Sequence, residues 1–154
     1  MPDWYLTKDG DVNCLAKYEQ HYSAYRYRDG RKRTQFVGPG QVIVLRTENY
    51  EAIWAWRKFI DDCINVETGE RMHGVNCAVF RNDAPRLYLS SELVRQADAI
   101  ADTAWPSERH YTYVDPKKIR STNPGACFKK AGWKRIGRTK SGLEILAIDG
   151  GSND

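Results

Sequence analysis

Apolar positions in the first half of the chain follow two spacings, one typical of helices and one of strands. Five apolar or aromatic side chains between Cys14 and Tyr25 recur at helical spacing and predict a first helix over residues 14–25. Residues 42–45 and 52–59 are rich in β-branched and aromatic side chains, which favour buried strands. The link over residues 47–50 is short enough to join these strands as a β-hairpin.

The middle of the chain continues with a strand, a helix and another strand. Residues 77–80 predict a third central strand, and residues 110–114 predict the strand after it. Between them, one apolar face predicts a helix that begins at Ser90 or Ser91, with serine as its N-cap, and ends near Thr103. We expect this strand–helix–strand unit to be parallel and right-handed.

Two short elements are predicted near the end of the chain. Asn123 as N-cap, Pro124 at the first helical position and Gly132 as a left-handed stop predict a short helix. Residues 133–138 and 143–148 flank a Thr-Lys-Ser-Gly turn and predict a closing hairpin. The whole order favours an α/β class, with helices flanking one mixed sheet.

Length and composition indicate one globular domain. The chain has 154 residues, of which 41% are hydrophobic and 29% charged, and this excludes a disordered or fibrous chain. We expect residues 1–40 to form an N-terminal helix and basic loop, residues 41–148 the sheet core, and residues 149–154 a tail. No window approaches the roughly 18 apolar residues of a membrane span, and the first residues do not resemble a signal peptide, so a cytoplasmic location is expected.

The four cysteines, Cys14, Cys63, Cys77 and Cys127, lie far apart in the sequence. No CxxC pair and no histidine at zinc spacing accompanies them. We therefore expect four reduced, mostly buried thiols and no metal site.

Positive charge is concentrated in two stretches. Residues 117–140 hold nine basic residues and no acid, and residues 26–33 hold five basic residues and one aspartate. Together they carry a charge of +13 within a chain of net +4, so the rest carries −9. Interleaved aromatic residues could stack on bases, which favours a nucleic-acid or phosphate ligand over an ordinary solvated surface. The candidate DNA-binding residues are Arg26, Arg28, Arg31, Lys32, Arg33, Lys117, Lys118 and Arg120.

Three local features could take part in binding or catalysis: a helix start, a strand end and a tripeptide. The predicted helix start at Ser90 or Ser91, with Arg81 and Arg86 before it, could bind a pyrophosphate, although a purely structural helix start is commoner. Asp115 ends a strand at the edge where open α/β sheets place their sites, or it only terminates the strand. Neither a GxGxxG nor a P-loop motif is present.

A histidine–tyrosine–serine tripeptide precedes the first basic stretch. His21 and Tyr22 could move protons near neutral pH, with Ser23 beside them, but such a pair on a helix more often packs.

From residue 77 to residue 148 the order of elements resembles that of the GNAT acyltransferases. Residues 123–133, which end in Cys-Phe-Lys-Lys-Ala-Gly-Trp, are similar to the late Asn…Phe-Tyr-x-Lys-x-Gly-Phe helix of that family. The resemblance implies a mostly antiparallel sheet with a V-shaped splay between strand 77–80 and strand 111–114. It also implies that acetyl-CoA or another acyl-CoA lies in the splay, with its pyrophosphate at the following helix. The implied cofactor-binding residues are Cys77, Ala78, Val79, Phe80, Arg81, Arg86, Ser90, Ser91, Asn123 and Phe128.

The chain departs from the GNAT pattern in two places. Residues 84–91, Ala-Pro-Arg-Leu-Tyr-Leu-Ser-Ser, replace the glycine-rich pyrophosphate loop of the family. Phe128 stands where the family often has a tyrosine as general acid. The alternative is therefore a non-catalytic DNA-binding or inhibitor protein that keeps the fold but has lost the cofactor.

Within this superfamily, the chain is most similar to phage Mom-like proteins, which modify DNA bases. The similarity rests on the tripeptide 21–23, which follows an N-terminal helix and precedes such a core. The whole chain also resembles small phage proteins that carry Tyr-Val-Asp-Pro, Asn-Pro-Gly and Cys-Phe-Lys-Lys-Ala-Gly-Trp. It implies acyl transfer to an amine of a base in duplex DNA. The implied catalytic residues are His21, Tyr22, Ser23, Tyr113 and Asp115. A general N-acetyltransferase acting on a protein or small amine is the main alternative enzyme.

Overall fold

The computed structural model describes residues 2–19, 35–117 and 125–151. These residues form three helices and seven strands, whose bounds follow in chain order: β1 (Tyr5–Thr7), α1 (Val12–Glu19), β2 (Gln41–Arg46), β3 (Ala52–Lys58), β4 (Val75–Asn82), α2 (Ser90–Ala104), β5 (His110–Val114), α3 (Ala126–Lys130), β6 (Lys134–Arg138) and β7 (Glu144–Ile148).

The seven strands form one mixed sheet in the order β1-β2-β3-β4-β5-β7-β6. Five of the six neighbouring pairs are antiparallel, and only β4 and β5 run parallel. The predicted α/β class and mostly antiparallel sheet are confirmed, as are both hairpins and the parallel strand–helix–strand unit. Because β4 and β5 are parallel, their carboxyl ends meet at one edge of the sheet.

Alternate side chains of β3 separate the two layers of the core, because successive residues of a strand point to opposite faces. Trp54 and Trp56 pack with Leu93 of α2 and Phe128 of α3 on one face. The neighbouring residues Ile53 and Ala55 pack on the other face, together with Cys14 and Tyr18 of α1. Each face of the central strands is therefore covered by helix.

The connection between β3 and β4, residues 59–74, covers the part of the sheet that α1 does not reach. Met72 packs on Tyr111 and Ile145 in a third cluster. Farther along, the Asn65 Nδ2 donates to the Ile136 carbonyl at 3.1 Å, and the Val66 N–H donates to the Arg138 carbonyl. These bonds occupy part of the exposed edge of β6, which would otherwise invite pairing with another strand.

Several boundaries differ from the sequence prediction. Helix α1 begins at Val12, two residues early, and ends at Glu19 where the described residues stop, so the predicted residues 20–25 lie outside them. The short strand β1 was not predicted, because its three residues, two of them exposed, show no alternation of buried and exposed positions.

The predicted helix caps were wrong at α2 and α3. Leu89 occupies the N-cap of α2, and its apolar side chain cannot form a capping hydrogen bond. Both serines lie inside the first turn, where the Ser90 hydroxyl accepts from Asn82 Nδ2 and Ser91 is buried. Helix α3 is preceded by Gly125, in the left-handed region at φ 72°, rather than by Asn123. The predicted left-handed stop at Gly132 is confirmed, at φ 100°.

All four cysteines are free thiols, as predicted. In the described part of the chain no helix is both long and apolar enough to cross a membrane.

Candidate functional site

The parallel strands β4 and β5 separate after only two residue pairs. Val75 pairs with His110 and Asn76 with Tyr111, and the ladder then stops although β4 continues to Asn82. We call the gap between residues 77–82 and residues 112–114 the β4–β5 opening. From Cys77 on, β4 has no strand partner on this side among the described residues, and its backbone faces the gap. The opening lies between the two strands where a V-shaped splay was expected.

A bulge in β4 coincides with the start of the opening. In the pairing with β3, Trp56 opposes Cys77 while Ala55 opposes Val79, so Ala78 is an extra residue on β4. A bulge bends its strand and increases the local twist. The bend gives a physical reason for β4 to leave β5 at this point.

Two side chains close the narrow end of the opening. Thr112 Oγ1 donates to the Cys77 carbonyl at 2.9 Å, and Asn76 Nδ2 donates to the Tyr111 carbonyl at 3.4 Å. These bonds replace backbone ladder bonds and satisfy buried polar groups where the strands separate. Burial raises the pKa of the Cys77 thiol well above its usual range, so this residue lines the site as a neutral group.

The loop after β4 leads directly to the first turn of α2. Asn82 fixes this loop, since its Nδ2 donates to the Tyr88 carbonyl and to the Ser90 hydroxyl, and its Oδ1 accepts from the Ala84 N–H. Among the described residues, no side chain caps the helix start. An uncapped helix N-terminus presents backbone N–H groups and the positive end of the helix dipole.

The two arginines predicted beside this helix start differ in their partners. Arg81 Nε donates to Asp83 Oδ1 at 2.8 Å, and Lys17 Nζ binds the other carboxylate oxygen at 2.6 Å. Burial opposes ionisation of Asp83, but the Lys17 hydrogen bond and the Arg81 charge outweigh it, so the pKa of Asp83 lies below its usual range. Arg86 is exposed and forms no hydrogen bond or ion pair with the described residues, so it is the better placed of the two for a phosphate.

The other predicted cofactor residues divide between the two faces of the sheet. Val79 packs on the α1 side. Phe80 and Phe128 are in edge-on contact on the α2 side, with their ring centroids 5.9 Å apart. Phe128 is buried and also touches Trp133, so its first role is in the core.

A buried carboxylate lies under β5, next to the opening. Tyr111 and Tyr113 both donate their hydroxyls to Asp61 Oδ2, at 2.6 and 2.7 Å, while Asp61 Oδ1 accepts the Cys63 N–H. Burial, with hydrogen bonds to Cys63 and Asp61, raises the pKa of Tyr113 well above its usual range. Tyr113 was predicted from the sequence but Asp61 was not, because 52 residues separate the two in the chain.

A second buried cluster lies at the opposite end of β5, around His110. His110 Nδ1 is 2.7 Å from Asp98 Oδ1, and its Nε2 is 3.2 Å from Asp102 Oδ1. Trp133 Nε1 donates to the other Asp98 oxygen at 2.9 Å. The cluster joins α2 to β5 and to the residue preceding β6, away from the opening, and it has a structural role. In the sequence, the i, i+4 spacing of the two aspartates places them on one face of α2, but it does not indicate that His110 is their partner.

Asp115 and Lys117 follow β5 at the carboxyl edge of the sheet. Asp115 is half-buried, and its Oδ1 accepts the Lys117 N–H at 2.9 Å in a local turn. This bond stabilises the end of β5 beside the opening. The Lys117 side chain is exposed.

Part of the second basic stretch is neutralised by acids from elsewhere in the chain. Arg135 binds Glu67 through both terminal nitrogens and Glu144 through Nε, and these bonds raise its pKa. Arg138 Nε lies 3.5 Å from Glu67. By contrast, Lys134 and Lys140 are exposed with no ion pair among the described residues.

The remaining predicted site residues lie outside the described residues: His21, Tyr22, Ser23, Arg26, Arg28, Arg31, Lys32, Arg33, Lys118, Arg120 and Asn123.

Comparison with models of known protein families and with curated protein sequences finds no match. The function is therefore inferred from the sheet order, the β4–β5 opening and the residues around it.

Proposed function

We propose that this protein is a GNAT-like N-acyltransferase that modifies an amine of a base in duplex DNA. The observation that carries the proposal is the β4–β5 opening, which is followed along the chain by the uncapped start of α2. An unpaired strand edge offers backbone N–H groups to an acyl oxygen, and a helix N-terminus attracts phosphate. Both features suit an acyl-CoA.

The residues around the opening fit the acyl-CoA in part. The β4 edge from Cys77 to Phe80 would bind the acyl and pantetheine portion, and the first turn of α2 with Arg86 would bind the pyrophosphate. Positioned backbone donors of this kind typically contribute about 3 kcal/mol to stabilising a developing oxyanion. Tyr113 and Asp115, at the carboxyl end of β5, would contact the incoming amine.

Exposed lysines supply the support for a DNA substrate. Lys117, Lys134 and Lys140 are exposed, and further basic residues lie in the segments beyond the described ones. Lysine side chains bind the phosphate backbone without sequence preference. We place the reaction in the cytoplasm, where bacterial DNA and CoA thioesters are both present.

The direct test combines a binding measurement with product analysis. Titration calorimetry with CoA should show binding, weakened in Arg86→Ala and unchanged in Arg71→Ala, an exposed arginine of the β3–β4 connection. Mass spectrometry of nucleosides from cells expressing the protein should reveal a base with added acyl-derived mass. Absence of CoA binding together with unmodified DNA would contradict the proposal.

One observation favours a second function, that of a non-catalytic DNA-binding or inhibitor protein. The loop before α2 has no glycine, and Leu87 and Leu89 in it are 66% and 64% exposed, so it suits a pyrophosphate poorly and an apolar surface of a partner protein better. DNA binding without CoA binding would support this alternative. An acceptor found only among proteins or small amines would instead identify a general N-acetyltransferase.

A further inference from the structure

We propose that Asp61 accepts the proton of the attacking amine through the hydroxyl of Tyr113. The inference deepens the proposed acyl transfer and rests on it. Asp61 belongs to the connection between β3 and β4, not to the strands that form the opening. It would act as a positioning residue and final proton acceptor, while Tyr113 would touch the substrate.

The strand register puts Tyr113 beside the reacting position. Asn76 is opposite Tyr111 in the last parallel pair, so continuing the register puts Tyr113 across the opening from Ala78. Ala78 is the bulged residue of β4, where unpaired backbone begins. A base amine attacking an acyl group held on β4 would therefore approach next to Tyr113.

The hydrogen bonds give Tyr113 a defined direction of proton transfer. Its hydroxyl donates to Asp61 Oδ2 at 2.7 Å and is also hydrogen-bonded to Cys63, so one oxygen lone pair remains available to accept a bond from an amine N–H. The raised pKa of Tyr113 means that it stays neutral rather than acting as a phenolate. Only the carboxylate behind it can retain the proton. Arg57 of β3 is the cation whose charge acts on this cluster, and it binds the Pro39 carbonyl.

The step balances with the thioester as acyl donor. The amine nitrogen forms a bond to the acyl carbon, and the carbon–sulfur bond breaks with its electron pair leaving on sulfur. As the new bond forms, the amine proton passes to Tyr113 Oη and the phenol proton passes to Asp61. Water then carries that proton from Asp61 to the thiolate. Assistance of this kind matters for a nucleobase amine, because its lone pair is delocalised into the ring.

Tyr111 provides a matched control within the same cluster. It donates to the same Asp61 oxygen at 2.6 Å, but it is only 1% exposed and so cannot touch a substrate. Tyr111→Phe and Tyr113→Phe each remove one phenol hydroxyl from Asp61. A structural role predicts similar effects for the two variants, whereas a proton relay predicts a large effect for Tyr113→Phe alone.

The experiment measures modified nucleosides in plasmid DNA from cells expressing wild type, Asp61→Asn, Tyr113→Phe or Tyr111→Phe, per amount of folded protein. The yield of modified nucleoside should fall by about 100- to 10,000-fold in Asp61→Asn and Tyr113→Phe, which is the usual range for positioned proton transfer. In Tyr111→Phe it should fall by less than about fivefold. With purified protein, acetyl-CoA and the same plasmid, Asp61→Asn and Tyr113→Phe should lower kcat and leave the KM for acetyl-CoA unchanged, because the relay acts in the transition state and not in cofactor binding.

The outcomes separate this inference from the proposed function. If the wild type modifies DNA but Tyr113→Phe and Tyr111→Phe behave alike, only the relay is overturned. An Asp61→Asn variant that keeps the wild-type kcat overturns the relay in the same way. A folded wild type that leaves DNA unmodified overturns the proposed function, and the relay with it.

Discussion

Asp98 should be one of the most sensitive polar positions of the fold, although it lies far from the β4–β5 opening. Replacing it by alanine removes the acceptor for His110 Nδ1 and for Trp133 Nε1 at once. His110 is 1% and Trp133 2% exposed, so water cannot replace the lost carboxylate. Hydrogen bonds to a charged group contribute about 1.5–3 kcal/mol each, and an unsatisfied buried donor costs a comparable amount.

The expected loss for Asp98→Ala is therefore about 3–5 kcal/mol of unfolding free energy, within a total of about 5–15 kcal/mol for a domain. At roughly 2–4 °C per kcal/mol for a chain of this size, the melting temperature should fall by about 10 °C. Chemical denaturation followed by tryptophan fluorescence measures the free energy, and calorimetry measures the melting temperature.

Asp102→Ala is the matched control, one helical turn farther along α2. Asp102 is a quarter exposed and lies 3.2 Å from a His110 nitrogen that has no well-aligned hydrogen bond. Its replacement removes only this long contact and an exposed hydrogen bond from the Gly151 N–H, so it should cost about 1 kcal/mol. Equal losses for the two variants, or a loss below about 1 kcal/mol for Asp98→Ala, would refute the assignment of His110 and Trp133 to one buried network.

Two further predictions concern the backbone and the DNA contacts. Gly74→Ala should unfold at a much lower temperature than Gly69→Ala. Both glycines have positive φ, but only at Gly74 would an added Cβ lie 2.2 Å from the Arg109 carbonyl oxygen. Similar melting temperatures for the two variants would contradict this. In salt titrations of duplex DNA binding, Lys134→Ala should reduce the log–log slope by about 0.9, while Arg135→Ala, whose charge is already paired, should leave it nearly unchanged. The opposite order would show that Arg135 releases its glutamates to bind phosphate.

Local pattern was sufficient for most of the elements. Strands β2 to β5 and the β6–β7 hairpin follow from short runs of β-branched and aromatic residues, and α2 follows from one apolar face. These features could be predicted because side-chain periodicity records which face of an element is buried. Strand β1 could not, since it is short and becomes a strand only by pairing with β2.

The contents of the candidate site depended on contacts between distant residues. The sequence pointed to Tyr113 and to the strands on both sides of the opening, but nothing near Tyr113 in the chain indicates that Asp61 lies against its hydroxyl. In the same way, residues 117–140 contain no acid, yet Glu67 and Glu144 neutralise part of their charge.

The sequence by itself therefore determined the class of sheet, the order of its elements and the clustering of positive charge. Only the tertiary structure decided which carboxylates are paired with which tyrosines, histidines and arginines. The physical reason is that periodicity is a property of neighbours in the chain, whereas hydrogen bonds and ion pairs form between groups that folding brings within about 3 Å, whatever their separation in sequence.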